Sequence, residues 1–267
     1  MSTLLAYALP IAVLSGIAVL YERQARAGGD SDRPRGIQRP LFYAGLVVLG
    51  IALATPMRTI ADRELFSVHA VQHVLLTLAA PPLLIAGLTA AMVRPLAGPV
   101  LGALTPAPRA FVIFNVLLAV THLPPVFSAA MASAPLRWLL YVAMVGAAIL
   151  MWWPLLSPVA ELPRLSYPLQ MLYCFALSIP LSIVSVYIVS AGTPMYPYGD
   201  GPARWGVDAL SDQRVGGLVM WIPSAIFFYV VLSIVFWKWQ LHGGGQDSAA
   251  AAQATSRSDP PPPLPQP

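Results

Sequence analysis

Residues 66–88 read FSVHAVQHVLLTLAAPPLLIAGL, a run with no charged side chain. A helix needs roughly 20 apolar residues to cross the hydrocarbon core of a bilayer, so this run is long enough to span it. It also carries His69 and His73, two of the chain's four histidines. Four residues apart, they fall one turn apart on one helical face. Two imidazoles on one stripe inside hydrocarbon are costly to keep, which marks them as functional candidates and asks for a partner elsewhere in the chain.

Working outward, the 267 residues are 57% hydrophobic and only 10% charged, with a mean hydropathy of +0.70. Soluble domains carry about 25% charged residues, so this is the composition of a multi-pass membrane protein. Seven apolar runs, at about 3–20, 41–56, 66–88, 109–130, 138–156, 168–191 and 215–238, predict an all-α transmembrane bundle of seven helices over 1–239. The first run has no basic residue before it and reads as an uncleaved span rather than a signal peptide. From Gln240 the chain turns to Gly, Ala, Ser and Pro and ends in PPPPLPQP; the 240–267 tail is expected to be disordered.

The net charge of +4 comes from fourteen Arg and one Lys against eleven acids. In such a chain the excess reports topology, not nucleic-acid binding. Ten of the basic residues fall in connections on one side, among them Arg23, Arg26, Arg33, Arg35, Arg39, Arg94 and Arg164; five, including Arg58, Arg63 and Arg137, fall on the other. The positive-inside rule then predicts an N-terminus outside and a C-terminus inside. Cys174 is the single cysteine, so no intrachain disulfide and no thiolate pair for a metal exist.

Depth brings the histidines together. At 1.5 Å per residue, His69 and His73 lie roughly 6 and 12 Å below the outer start of their span. His122, counted outward from Arg109, lies about 20 Å up and so about 10 Å below the same surface. His242 falls at the other end and is excluded. Met220, Asp212 and Gln213, at the outer start of the last span, are candidates for an additional ligand or a supporting contact, with Tyr196 and Tyr198 near the same rim. Asp212 also reads as a helix cap, and Gly216-Gly217 as a point of close helix approach.

Histidines at i and i+4 plus one from a facing helix are a sound metal set. Imidazole suits copper and zinc, and a neighbouring methionine or carboxylate would tune the choice. Haem, held by one histidine from each of two helices, is a further option, and a polar structural network without metal is the bland one. No nucleophile elbow, no phosphate loop and no intramembrane carboxylate pair is present, so no catalytic residue is predicted.

The motifs resemble a known family. His69-Ala-Val-Gln-His73 followed by Pro81-Pro82, then Thr121-His122-Leu-Pro124, Trp152-Trp153-Pro154-Leu-Leu-Ser-Pro158, Tyr196-Pro197-Tyr198, Trp205-Gly206 and Asp212-Gln213-Arg-Val-Gly216-Gly217-Leu-Val-Met220-Trp221 occur in order over about 65–240. This is similar to the polytopic CtaG-type cytochrome c oxidase assembly factors. The resemblance implies a non-enzymatic seven-span protein of the bacterial cytoplasmic membrane that serves haem–copper oxidase subunits, with a part in copper supply. It carries over to His69, His73, His122 and Asp212. Copper is the expected metal, with zinc or haem less favoured. Two alternatives stay open: a metal-free scaffold for oxidase subunits and a haem-binding electron carrier. The start of the fifth span, Pro135-Leu-Arg137-Trp138-Leu-Leu-Tyr141, lacks the further histidines often found in the family, which argues against a second metal set.

Overall fold

A computed structural model describes residues 3–29 and 32–257, with side chains from 7 to 241. It is all-helical, with no strand among the described residues. We label the principal helices α1 (Thr3–Ala27), α2 (Gln38–Ala54), α3 (Pro56–Arg63), α4 (Phe66–Gly87), α5 (Ala107–Thr121), α6 (Pro124–Ala132), α7 (Ala134–Leu156), α8 (Tyr167–Val189) and α9 (Ala209–Arg257).

The expected seven spans are matched only in part. Among the described residues four helices are long and apolar enough to cross a membrane: α4, α7, α8 and the Ala209–Leu241 part of α9. The count rises to six if the bent pairs α2–α3 and α5–α6 are each one span. The two bends have a common cause. Pro56 and Pro124 follow residues in extended backbone, Thr55 (ψ 170°) and Leu123 (ψ 131°). A proline excludes helical backbone at the residue before it and donates no hydrogen bond, so each helix stops and restarts, at 50° and 73°. The run expected over 109–130 is therefore two helices, with His122 at the break. The backbone of α9 is helical to Arg257, through the first part of the tail; residues 258–267 lie outside the described residues.

Pro81-Pro82 do not break their helix. α4 stays one span because Leu75–Ala79 widen into a π-helical turn, where Ala80 N–H reaches Leu75 O. Pro81 has no proton for Thr77 O. The indole Nε1 of Trp152 on α7 donates to that carbonyl instead, at 2.9 Å, and the Thr77 hydroxyl donates to His73 O at 2.7 Å. The bundle thus supplies the bonds that proline removes.

The core is built on Phe66, Phe114, Leu118, Met151, Trp152, Leu177 and Phe228, all buried, and α8 and α9 are packed closely along their lengths. Gly217 allows this, since a Cβ there would sit 2.6 Å from Val189 Cγ2, while Gly216 brings α9 against α4, where a Cβ would collide with the Phe66 ring. The close approach read from this pair is what the fold uses it for.

Candidate functional site

The three histidines meet. His73 and His122 are buried and His69 is half-buried. The His122 ring centre lies 5.1 Å from that of His73 and 6.2 Å from that of His69. All three line one cavity of about 60 Å³.

His122 is placed by the end of its helix. Because α5 stops here, its N–H turns to Ala119 O at 3.3 Å, and the ring Nδ1 sits 2.8 Å from the carbonyl of Leu118. A carbonyl only accepts, so the proton is on Nδ1 and Nε2 keeps its lone pair. Tyr196 donates its hydroxyl to His122 O at 2.9 Å and stacks on Phe66, with ring centres 4.4 Å apart. Tyr198 donates to Ala61 O at 2.8 Å. The rim tyrosines therefore hold backbone near the site.

The Nε2 atoms of His73 and His122 are both buried with no hydrogen-bond partner. Buried polar nitrogens are nearly always satisfied, so two unpartnered ones lining one cavity make it a candidate ligand site. With metal–nitrogen bonds of about 2 Å, an ion lies roughly 3 Å from each ring centre, and two rings sharing it have centres up to about 6–6.5 Å apart. His73 and His122 are well inside that limit, and His69 is at its edge. Accordingly, no group of three or more His, Cys, Asp or Glu among the described residues already has metal-holding geometry. A rotation of the His69 ring would be needed to bring in a third donor.

The other anticipated residues take different places. Asp212 reaches across from the first turn of α9 to α4, whose own N-cap, Leu65, offers no side chain. Its carboxylate accepts Phe66 N–H at 2.6 Å, Ser67 N–H at 3.2 Å and the Ser67 hydroxyl. A charge at a helix N-terminus satisfies otherwise unpaired donors and favours the helix dipole. Asp212 thus fixes the helix that carries His69 and His73, and it contacts neither ring through a hydrogen bond. Gln213 accepts Met195 N–H at 2.6 Å and donates to Ile188 O at 3.1 Å, tying the 190–200 loop to α8. Met220 is wholly buried in the core and does not line the cavity. The thioethers that do line it belong to Met131 and Met144.

The second half of the cavity was not anticipated. Asp62, Gln72, Arg137 and Tyr141 line it opposite the imidazoles. Asp62 is paired with Arg137 at 3.0 Å and Arg58 at 3.7 Å and accepts the Tyr141 hydroxyl; that hydroxyl is also 3.0 Å from Gln72 Oε1. Gln72 Nε2 donates to Ala52 O at 2.7 Å. Arg137 also donates to Ala130 O and Met131 O, the last carbonyls of α6, both at 3.1 Å. The sequence pattern assigns Arg58 and Arg137 to connections, as charges that report topology. Arg58 is instead buried and Arg137 half-buried: the bend after Ala54 turns α3 back into the bundle, and the first turn of α7 carries Arg137 to Asp62. The signal was the amphipathic sequence of 56–63, four of whose eight residues are Arg58, Thr59, Asp62 and Arg63.

Residues 16–241 match the model of the cytochrome c oxidase caa3 assembly factor family, Caa3_CtaG. The chain belongs to this family. The match covers α2 to α8 whole, the second half of α1 and the spanning part of α9, so it includes every residue of the cavity. No curated protein and no solved structure matches the chain. As a caa3 assembly factor with membrane-spanning helices, the protein acts in oxidase assembly.

Proposed function

We propose that this Caa3_CtaG protein handles copper as cargo for a haem–copper oxidase, taking the ion at His73 and His122 with His69 as a third donor. The reading is carried by the two unpartnered, buried Nε2 atoms facing one small cavity. Two further observations support it. The Nδ1 proton of His122 is held by Leu118 O, the arrangement that orients a ligating imidazole. Met131 and Met144 add soft sulfur to the same wall, which favours copper, and Cu(I) above all, over zinc. Asp62 is engaged by two arginines and by Tyr141, so the donor set is neutral nitrogen and sulfur. A volume of about 60 Å³ takes an ion with a water, far below the roughly 300–1,000 Å³ of pockets that hold larger ligands, so haem is not the occupant proposed.

In this proposal α1 also crosses, which makes the number of spans odd, and the arginine bias puts the N-terminus outside the bacterial cytoplasmic membrane, the C-terminus inside and the cavity near the outer surface. Weak, reachable binding suits transfer to an oxidase subunit, and the chain needs no catalytic group. The test is elemental analysis of purified protein. Wild type is expected to retain copper, and His73→Ala and His122→Ala to lose it. Equal copper in all three would end the copper reading. Full oxidase assembly in cells carrying the triple histidine-to-alanine variant would favour the metal-free scaffold.

A further inference from the structure

At the other end of the bundle, α4, α7, α8 and α9 part around a crevice of about 400 Å³. It reaches Pro82, nine residues beyond His73 and so roughly 13 Å further along α4. Its walls are apolar: Trp152, Leu155 and Leu156 from α7, and Phe227, Val231 and Ile234 from α9. Its mouth carries two cations, Arg164 and Lys238, beside the Tyr167 and Gln170 turn.

The cation on the 157–166 turn is fixed in place. Arg164 Nε donates to Ser157 O at 2.7 Å, while its terminal amino groups make no hydrogen bond among the described residues. Gln170 holds the base of the same turn through Leu165 O, also at 2.7 Å. The side of the crevice is open in a different way. Ile234 lines it and is half exposed, and it continues an exposed apolar stripe of α9 through Ile226, Tyr229 and Val230. On a membrane-spanning helix that stripe faces acyl chains. An alkyl chain can therefore enter sideways from the bilayer while a negative headgroup meets Arg164 and Lys238.

We infer that this crevice is a binding site for an anionic phospholipid, its phosphate held by Arg164 and Lys238 and its first acyl methylenes laid against Trp152, Phe227 and Val231. Charge complementarity selects the headgroup: basic pockets between membrane helices bind anionic headgroups, and a guanidinium presents a fork that matches phosphate. The volume fits a glycerophosphate and the start of one chain, within the range of small-ligand sites. The site shares no residue with the histidine cavity, so it stands whether or not copper binds there.

Native mass spectrometry of the full-length protein in mild detergent tests this with added phosphatidylglycerol, matched phosphatidylcholine or inorganic phosphate. Wild type is expected to retain phosphatidylglycerol at least about tenfold better than phosphatidylcholine. Arg164→Gln with Lys238→Gln should abolish that preference, and Arg94→Gln, a cation on the same end paired with Glu161, should leave it intact. Val231→Trp, which fills the crevice without changing charge, should lower retention of both lipids. No preference in wild type, or an undiminished preference in the double variant, overturns the proposal. So does displacement of phosphatidylglycerol by millimolar phosphate, which would mark a free-anion site.

Discussion

Two spans that carry the histidines each contain a Pro-Pro pair, and they respond in opposite ways. Pro81-Pro82 sit inside α4, which runs unbroken; Pro124-Pro125 open α6, which leaves α5 at 73°. Ala80, before the first pair, keeps helical backbone (φ −67°, ψ −49°), although a following proline disfavours it. Leu123, before the second pair, is extended. The difference lies in who takes the abandoned carbonyls. In α4 a π turn spreads the defect, and Trp152 donates to Thr77 O. At the end of α5 the helix closes with shorter-range bonds, Leu118 O receives the imidazole, and Tyr196 takes His122 O. One pair is absorbed within a continuous helix, on which two histidines precede it. The other is used to turn a third histidine inward. A proline in a membrane helix is thus a vacancy for a donor, and the neighbouring helices decide whether it becomes a kink.

That comparison can be broken in four places. The bent side depends most on Asp62, since Arg137 bridges it to the end of α6. Asp62→Asn leaves the buried Arg58 and the half-buried Arg137 without their counter-charge and should cost about 3 kcal/mol, seen as a large drop in thermal unfolding temperature in detergent. On the straight side, Asp212→Ala removes a charged acceptor from Phe66 and Ser67. We expect a loss of about 1.5–3 kcal/mol, with faster amide exchange at the start of α4 as its local signature.

A smaller effect addresses the prolines themselves. Trp152→Phe keeps an aromatic six-membered ring but removes the indole N–H and orphans Thr77 O, which alone should cost about 1–3 kcal/mol. Adding Pro81→Ala restores an N–H to the turn, so the double variant should recover part of that loss; strictly additive losses would contradict the account given for α4. The smallest change is Tyr196→Phe, which strips one hydroxyl from His122 O and should cost about 0.5–1.5 kcal/mol. If the His122 placement rests on that contact, the variant should also bind copper more weakly than wild type when the ion is titrated into purified protein.

Much of the site was legible. Counting 1.5 Å per residue from two helix starts put His69, His73 and His122 at one level, and the rings do face one cavity. Gly216-Gly217 were readable as a close approach because only a missing Cβ permits one. Asp212 was readable as a cap but of the wrong helix: capping needs a carboxylate near free N–H groups, and nothing in the local sequence says those groups belong to a strand of chain 146 residues away. Met220 gave way to Met131 and Met144 because a side chain's direction around its helix depends on which neighbours it packs against.

Composition and periodicity alone determined that the chain is helical and lives in a membrane, because an apolar excess of this size has no other stable solvent, and they determined which histidines share a depth. The tertiary structure alone decided where the spans bend, that Arg58, Asp62 and Arg137 turn inward as an ion network, and which lone pairs are left open. Those outcomes depend on which distant donor fills each unsatisfied backbone or side-chain group, and that pairing exists only once the helices are packed together.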